Sequence, residues 1–273
     1  MSISSPLGIV AGGGLMPRRL AETVSAANRP VFIIAFDGET NPATVEGFPH
    51  LWTRMGAVAK NIDALKKANV TELVFCGGVK RPPLKQLAPD WRATKFLAKV
   101  SFAALGDDGL LKAVKAEMEK EGFTVRGVHE FLADLPARNG VMGRFTPSEE
   151  DYTDIRIGYA ASQKIGAQDI GQSVIVCNGY ILGEEDEAGT DALIARCVAL
   201  PKGEGHARGV LVKSAKPQQD MSLDLPTIGP DTVRAVHKAG FGGIAVEAGK
   251  TLILERDEAI ALADEAGIFL IGI

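Results

Sequence analysis

Two kinds of residue in this chain could do chemistry, and both stand where an apolar run stops. The first kind is glycine. Leu7–Val10 runs apolar into Ala11-Gly12-Gly13-Gly14-Leu15, and Leu73–Cys76 runs apolar into Gly77-Gly78-Val79-Lys80-Arg81-Pro82. Backbone N–H groups of a glycine-rich turn, together with the start of a following helix, suit a phosphate, since glycine has no Cβ to hold the anion away. Lys80 and Arg81 add positive charge at the second tip, with arginine offering the better fork for phosphate oxygens. The plainer use of both stretches is a tight turn. The dinucleotide pattern G-x-G-x-x-G fails, because Pro17 stands where the third glycine belongs, although Asp37 ends the next apolar run where a ribose-binding acid would sit.

The second kind is carboxylate. Glu184-Glu185-Asp186-Glu187 follows one apolar run and precedes Gly189-Thr190-Asp191. Asp224 stands between Leu223 and Leu225, and Leu225 is biased toward an extended conformation by Pro226. An acid in so apolar a setting is expected to need a hydrogen-bond partner, a metal or a catalytic role. Carboxylates holding Mg²⁺ against phosphate oxygens would suit pyrophosphate hydrolysis. For most of the glutamate run, a solvated edge is the simpler expectation. There is no G-x-S-x-G and no H-E-x-x-H, and the histidines His50, His129, His206 and His237 have no metal-ligand spacing.

These residues need a frame. In the first half, apolar runs at Leu7–Val10, Val31–Phe36, Leu73–Cys76 and Thr124–Val128 alternate with helical patterns at Arg18–Ala27, Ala57–Ala68, Trp91–Leu105 and Leu110–Glu121. That alternation predicts βαβ units and a parallel sheet, with both glycine tips on the edge where ligands bind. Asn139–Pro147 reads as a connection and Ser148–Ile165 as a bridging helix with an acidic start. In the second half, Asn178-Gly179 predicts a hairpin. Ala248-Gly249-Lys250 predicts another, between Ile244–Glu247 and Thr251–Leu254. The expectation is an α/β chain: a Rossmann-like N-terminal domain over 1–135, a linker and bridging helix over 136–166, and a smaller mixed α/β C-terminal domain over 167–273.

Composition sets outer limits. With 273 residues, 46% hydrophobic and 23% charged, the chain can bury full cores. Cys76, Cys177 and Cys197 are odd in number and widely spaced, which predicts buried thiols in a reducing compartment rather than disulfides or structural zinc. A net charge of -4 gives no reason to expect nucleic acid. No signal peptide and no membrane-spanning run are visible, so any membrane contact is expected to be peripheral.

Several stretches together resemble one family. GIVAGGGLMP at Gly8–Pro17, FCGGVKRP at Phe75–Pro82, EAGTD at Glu187–Asp191, DLPTIGPDTV at Asp224–Val233 and GGIAVEAGKTLIL at Gly242–Leu254 look like the LpxI-type UDP-2,3-diacylglucosamine pyrophosphatases. The resemblance runs from the first strand to the last, in matching order. It implies a divalent cation, Mg²⁺ or another, and water attack at the α-phosphorus, giving UMP and 2,3-diacylglucosamine 1-phosphate (lipid X) in lipid A synthesis. It implies Asp224 as the catalytic residue. Gly12, Gly13, Gly14, Leu15, Gly78, Val79, Lys80, Thr190 and Lys213 are implied at the acylated UDP-glucosamine substrate, and Asp224, Glu185 and Asp191 at the metal. Four acids precede the Gly-Thr-Asp where the family more often has a single glutamate, and Glu185 is the choice among them. The rival readings are a Rossmann oxidoreductase and a non-enzymatic nucleotide- or lipid-binding module; a homodimer is left open.

A substrate with acyl chains places a cytoplasmic enzyme on the anionic inner face of the inner membrane. Trp91–Leu105 is the candidate contact, with Arg92, Lys95 and Lys99 on one stripe edged by Trp91 and Phe102. An ordinary solvated helix face is the alternative. Three cations at ~1 kcal/mol each give weak attachment. Binding to anionic liposomes is therefore expected to fall as the Debye length shrinks from ~10 Å at 0.1 M salt to ~3 Å at 1 M. Co-sedimentation at both salt levels reads this out, and binding unchanged by reversal of all three charges would rule this helix out as the contact.

Overall fold

The computed structural model describes residues 5–79, 87–99, 107–198 and 208–273. Lys80, Arg81, His206 and the end of the predicted Trp91–Leu105 helix lie outside these residues. The chain forms two compact units of nearly equal length, 1–132 with 222–224 and 133–221 with 225–273, so the second is not the smaller one expected.

The first unit is a five-stranded sheet in the order β3-β2-β1-β4-β5: β1 Leu7–Ala11, β2 Val31–Phe36, β3 His50–Thr53, β4 Glu72–Cys76 and β5 Thr124–Val125. Every neighbouring pair is parallel. Central strands of such a sheet are covered on both faces. In β1, accordingly, Leu7, Ile9 and Ala11 are fully buried. Helices α1 Met16–Ala26, α2 Val58–Lys67, α3 Trp91–Lys99 and α4 Asp107–Lys120 connect the strands. Pro17 in the first turn of α1 suits a position whose N–H needs no helical partner. Strand β3 was not anticipated: four residues at a sheet edge, His50 exposed and only Thr53 buried, carry no clear apolar period. In α3, the expected basic stripe is only partly available, because Arg92 is paired with Glu121 while Lys95, Lys99 and Trp91 stay exposed.

The second unit is built on a six-stranded mixed sheet in the order β6-β13-β11-β9-β7-β8. Its strands are β6 Gly140–Val141, β7 Ser173–Cys177, β8 Tyr180–Glu184, β9 Val210–Lys213, β11 Gly243–Val246 and β13 Phe269–Gly272. Strands β9, β11 and β13 are parallel; β6, β7 and β8 pair antiparallel. Helices α5 Glu149–Ala167, α6 Gly189–Cys197, α7 Pro230–Lys238 and α8 Arg256–Ala266 complete it. The helix expected as a bridge, α5, is part of this unit: Ile155, Ala161 and Ile165 pack on Val174, Val176, Val210 and Val212. The Asn-Gly hairpin forms between β7 and β8, with φ of 52° at Asn178 and 80° at Gly179, as a type I′ turn requires. Buried Asp154 holds that turn by accepting from Asn178 N at 2.9 Å and Gly179 N at 2.6 Å. The second expected hairpin does not form. β12 Leu252–Ile253 pairs in parallel with β10 Thr227–Ile228 instead of folding back on β11. All three cysteines are free and buried, and burial pushes the Cys76 thiol up to about 12.

The start of β4 is fastened by ions. Glu72 accepts from Arg29 Nη2 at 2.6 Å and from Arg126 Nη1 at 2.5 Å, and Arg126 also pairs with Glu130. Burial pushes the Glu72 carboxyl up, but the two guanidinium groups more than reverse this and hold it below its ordinary value of 4.5. A lowered folded value means the stabilisation is complete above pH 4.5 and is lost as pH falls through the folded value. Glu72→Gln is expected to lower the urea midpoint at neutral pH and to narrow its gap to wild type below pH ~4. A gap that stays constant with pH would rule out this charge cluster as its origin.

Candidate functional site

In the first unit, the glycine tips lie side by side because they follow adjacent strands. This is the point where the strand order reverses, between β1 and β4, and where open α/β sheets bind ligands. The two tips are fastened to each other. Gly12 N donates to Cys76 O at 2.8 Å, and Gly13 N donates to Gly78 O at 2.7 Å, forming an isolated bridge. A Cβ on Gly12 would stand 2.5 Å from Gly78 O and 2.6 Å from Gly77 O, so glycine there serves close backbone approach. Gly77 adds a φ of 91°. Buried Thr40 supports the tip, donating from Oγ1 to Ala11 O at 2.6 Å. The expectation that Gly12 and Gly13 offer their amides to phosphate is thereby modified: both amides are spent on the neighbouring tip. Gly14, Leu15, Gly78 and Val79 form an exposed rim instead.

In the second unit, polar side chains collect at one edge of the sheet. Strands β9 and β11 end there with Lys213 and Glu247, and antiparallel β7 begins there with Ser173, opposite Lys213. Glu185 follows β8 and is bound to Ser173 through its amide, Glu185 N to Ser173 O at 2.9 Å. Thr190 lies in the first turn of α6. Its Oγ1 donates to Glu185 Oε1 at 2.6 Å, accepts from Lys213 Nζ at 2.9 Å and lies 3.3 Å from Ser173 Oγ. The edge thus brings together three residues named from sequence: Glu185, Thr190 and Lys213. Glu185 and Lys213 are each only 7% exposed.

Two residues of this edge escaped sequence reasoning. Ser173 is the polar first residue of an apolar run, directly across from Lys213. Glu247, 8% exposed, accepts from Ala215 N at 2.9 Å and pairs with Lys250 at 2.8 Å. A charged residue closing a four-residue apolar run was the available signal. A neighbouring chain of buried hydroxyls runs from Ser162 Oγ to Ser214 Oγ at 2.7 Å, with Gln163 Nε2 donating to Ser214 Oγ at 2.9 Å. At the opposite ends of β9, β11 and β13 lies a cavity of about 210 Å³ lined by Phe145, Arg208 and Phe269. It contains none of the residues singled out above.

The carboxylates named for a metal differ in setting. Asp224 is exposed, against expectation, while Leu225 beside it is 6% exposed. The turn at 221–223 precedes it, and the chain becomes buried only from Leu225 and Pro226 onward. Asp224 groups with the first unit. Asp191 is exposed on the first turn of α6. Among the described residues, no three His, Cys, Asp or Glu side chains form a cage for a metal ion. Glu185 suits a metal poorly, since both its oxygens already accept hydrogen bonds and an ammonium stands one hydroxyl away. Asp224 and Asp191 are exposed carboxylates of the kind that hold Mg²⁺ together with water and substrate phosphates.

The chain matches known proteins along nearly its full length. The LpxI N-terminal domain model matches residues 6–135, and the LpxI C-terminal domain model matches residues 138–271. A curated relative, the UDP-2,3-diacylglucosamine pyrophosphatase LpxI of Caulobacter vibrioides, is 38% identical over 272 residues, covering 98% of this chain and 97% of its own. The solved structure of CobK precorrin-6A reductase aligns over 98% of this chain and 87% of its own, with 13% identity and a TM-score of 0.35, a likeness too low to say anything of fold or function.

The fastened glycine tips make a sharp expectation. Gly12→Ala places a methyl group against two backbone oxygens that cannot turn aside, and overpacking of this kind costs ~1–3 kcal/mol. A urea titration is expected to give an unfolding free energy lower by that amount. A variant as stable as wild type would mean that the tips separate without cost.

Proposed function

The chain belongs to the LpxI family, and from that premise we propose that it hydrolyses the pyrophosphate of UDP-2,3-diacylglucosamine in lipid A synthesis. Water attacks the α-phosphorus, the bond from that phosphorus to the bridging oxygen breaks, and UMP and 2,3-diacylglucosamine 1-phosphate leave. The observation that carries this reading is the match to both LpxI domains together with a relative of that printed activity aligned over almost the whole chain.

The geometry supports particular roles. The exposed rim of Gly14, Leu15, Gly78 and Val79, with Gly12 and Gly13 beside it, takes the nucleotide side of the substrate. Lys213 takes phosphate oxygens, with the Thr190 hydroxyl accepting from its ammonium at 2.9 Å. A mostly buried ammonium acts in a lower dielectric than water, so its attraction for a phosphate is correspondingly stronger. Asp224 is the catalytic carboxylate, orienting the attacking water. A divalent cation, when bound, would supply charge neutralisation of the pyrophosphate, and the exposed carboxylates of Asp191 and of Asp224 are each candidates to hold it. Among the described residues, no helix is long and apolar enough to cross a membrane. The substrate's acyl chains are the ground for reading access as peripheral, from the cytoplasmic face of the inner membrane.

Incubation with UDP-2,3-diacylglucosamine and Mg²⁺ in ¹⁸O-water tests the reading. UMP carrying the label is expected, and label on the sugar phosphate would overturn the site of attack. In the same assay Asp224→Ala is expected to lower kcat by at least about a hundredfold with little change in KM, because a group that orients water acts mainly on the transition state. Near-normal kcat in that variant would remove Asp224 from the mechanism.

A further inference from the structure

The cavity at the other end of β9, β11 and β13 from Lys213 holds none of the residues given a role above, and its lining has a chemistry of its own. Buried Phe269 and exposed Phe145 supply aromatic surface. Arg208 supplies a cation, and Glu150 and Asp151, from the first turn of α5, supply carboxylates.

These opposite charges border one hollow without closing on each other. The Arg208 guanidinium is held from one side, where Nη2 donates to Gly267 O at 2.6 Å, just past the end of α8. Glycine at 242 leaves room for its stem, since a Cβ there would stand 3.1 Å from Arg208 Cβ and 3.3 Å from Nε. Arginine carries five N–H donors, so one bond to a carbonyl leaves most of the fork for a ligand. Among the described residues, no carboxylate pairs with Arg208, and Glu150 has no hydrogen bond or ion pair. Asp151 Oδ2 accepts from Ser148 N and Ser148 Oγ, both at 2.9 Å, which leaves its Oδ1. The start of α5 is itself capped, Asp151 N donating to Ser148 Oγ at 3.2 Å. Acids in a first helical turn favour the helix dipole wherever they stand. That use does not account for a pinned guanidinium across a shared hollow with two aromatic rings.

The pattern of charge selects the ligand. A simple anion would meet two carboxylates, and a simple cation would meet the guanidinium. Among the described residues, the carboxylates form no cage for a metal ion. A molecule with both signs at one end satisfies every group at once. The cavity of about 210 Å³ also lies below the ~300 Å³ at which sites for drug-sized ligands begin, so the body of that molecule must be small.

We propose that this cavity binds a free apolar α-amino acid. Its carboxylate lies on the Arg208 fork, whose geometry matches two carboxylate oxygens. Its ammonium lies on Glu150 and the open oxygen of Asp151, and its side chain lies against Phe145 and Phe269.

The test is calorimetric titration of the full chain with L-leucine. A Kd of about 1 mM or tighter is expected. Isocaproate keeps the body and carboxylate but lacks the ammonium, and isoamylamine keeps the body and ammonium but lacks the carboxylate. Each is expected to bind at least about tenfold more weakly than leucine, having lost one set of charge-assisted bonds. Glycine, without a side chain to bury, is expected to be weaker by a similar factor. Leucine affinity is expected to fall about tenfold in Arg208→Gln and about threefold in Glu150→Gln, where Asp151 remains. Both substitutions fall on exposed residues, and circular dichroism of each variant is expected to match wild type. No leucine binding up to about 10 mM would overturn the proposal. So would isocaproate or isoamylamine binding as tightly as leucine, or leucine affinity unchanged in both variants. The readout needs no turnover, so its failure and a failure of the proposed reaction are told apart.

Discussion

A strand buried on both faces can expose little besides its ends, and the chemistry of this chain follows from that constraint. β9 and β11 have no exposed residue, and β1 has only Val10 partly uncovered. Polar side chains have no place along such strands, so they gather where the strands stop. The glycine tips close β1 and β4; Lys213 and Glu247 close β9 and β11. Each end must also satisfy backbone groups that the ladder no longer pairs. The first unit does so with backbone, tip against tip. The second does so with side chains, Glu185 taking the Gln172 amide and Glu247 the Ala215 amide.

The two edges therefore differ in what they can give a ligand. A tip made of glycine offers shape and a path close to the backbone, but part of its hydrogen-bonding capacity is already used by the neighbouring tip. An edge made of side chains offers charge, and charge at low exposure must be balanced. Lys213 and Glu185 achieve this at one remove, and Glu247 with Lys250 achieves it directly.

Much of this was legible in the chain itself. Apolar runs ending in glycine marked β1 and β4, and Asn178-Gly179 marked its hairpin, because both signals are local chemistry. What failed was non-local. Ala248-Gly249-Lys250 has the look of a hairpin turn, yet β12 finds its partner in β10, some two dozen residues earlier in sequence. β3 is too short and too exposed for its pattern to show. At the site, Glu185 was the choice among four consecutive acids and is the buried one of the four, but its partners Thr190 and Ser173 come from separate elements. Asp224 misled in the opposite sense: its apolar neighbours suggested burial, yet it is exposed just after a turn, and burial begins only at Leu225.

The hairpin turn at Asn178-Gly179 bears on how the molecule ages. Asparagine followed by glycine is the sequence most prone to lose its side-chain amide, since the small glycine lets its own backbone nitrogen swing onto the asparagine side-chain carbonyl and close a ring. Here that nitrogen is engaged by the Asp154 carboxylate at 2.6 Å, and the turn is held by a second bond to the amide of Asn178. Ring closure would have to break the first of these and twist a backbone anchored to a buried helix residue. The contact that sets the geometry of the turn thus also guards its chemical integrity, and the covalent lifetime of this surface loop is tied to a carboxylate some two dozen residues away in sequence.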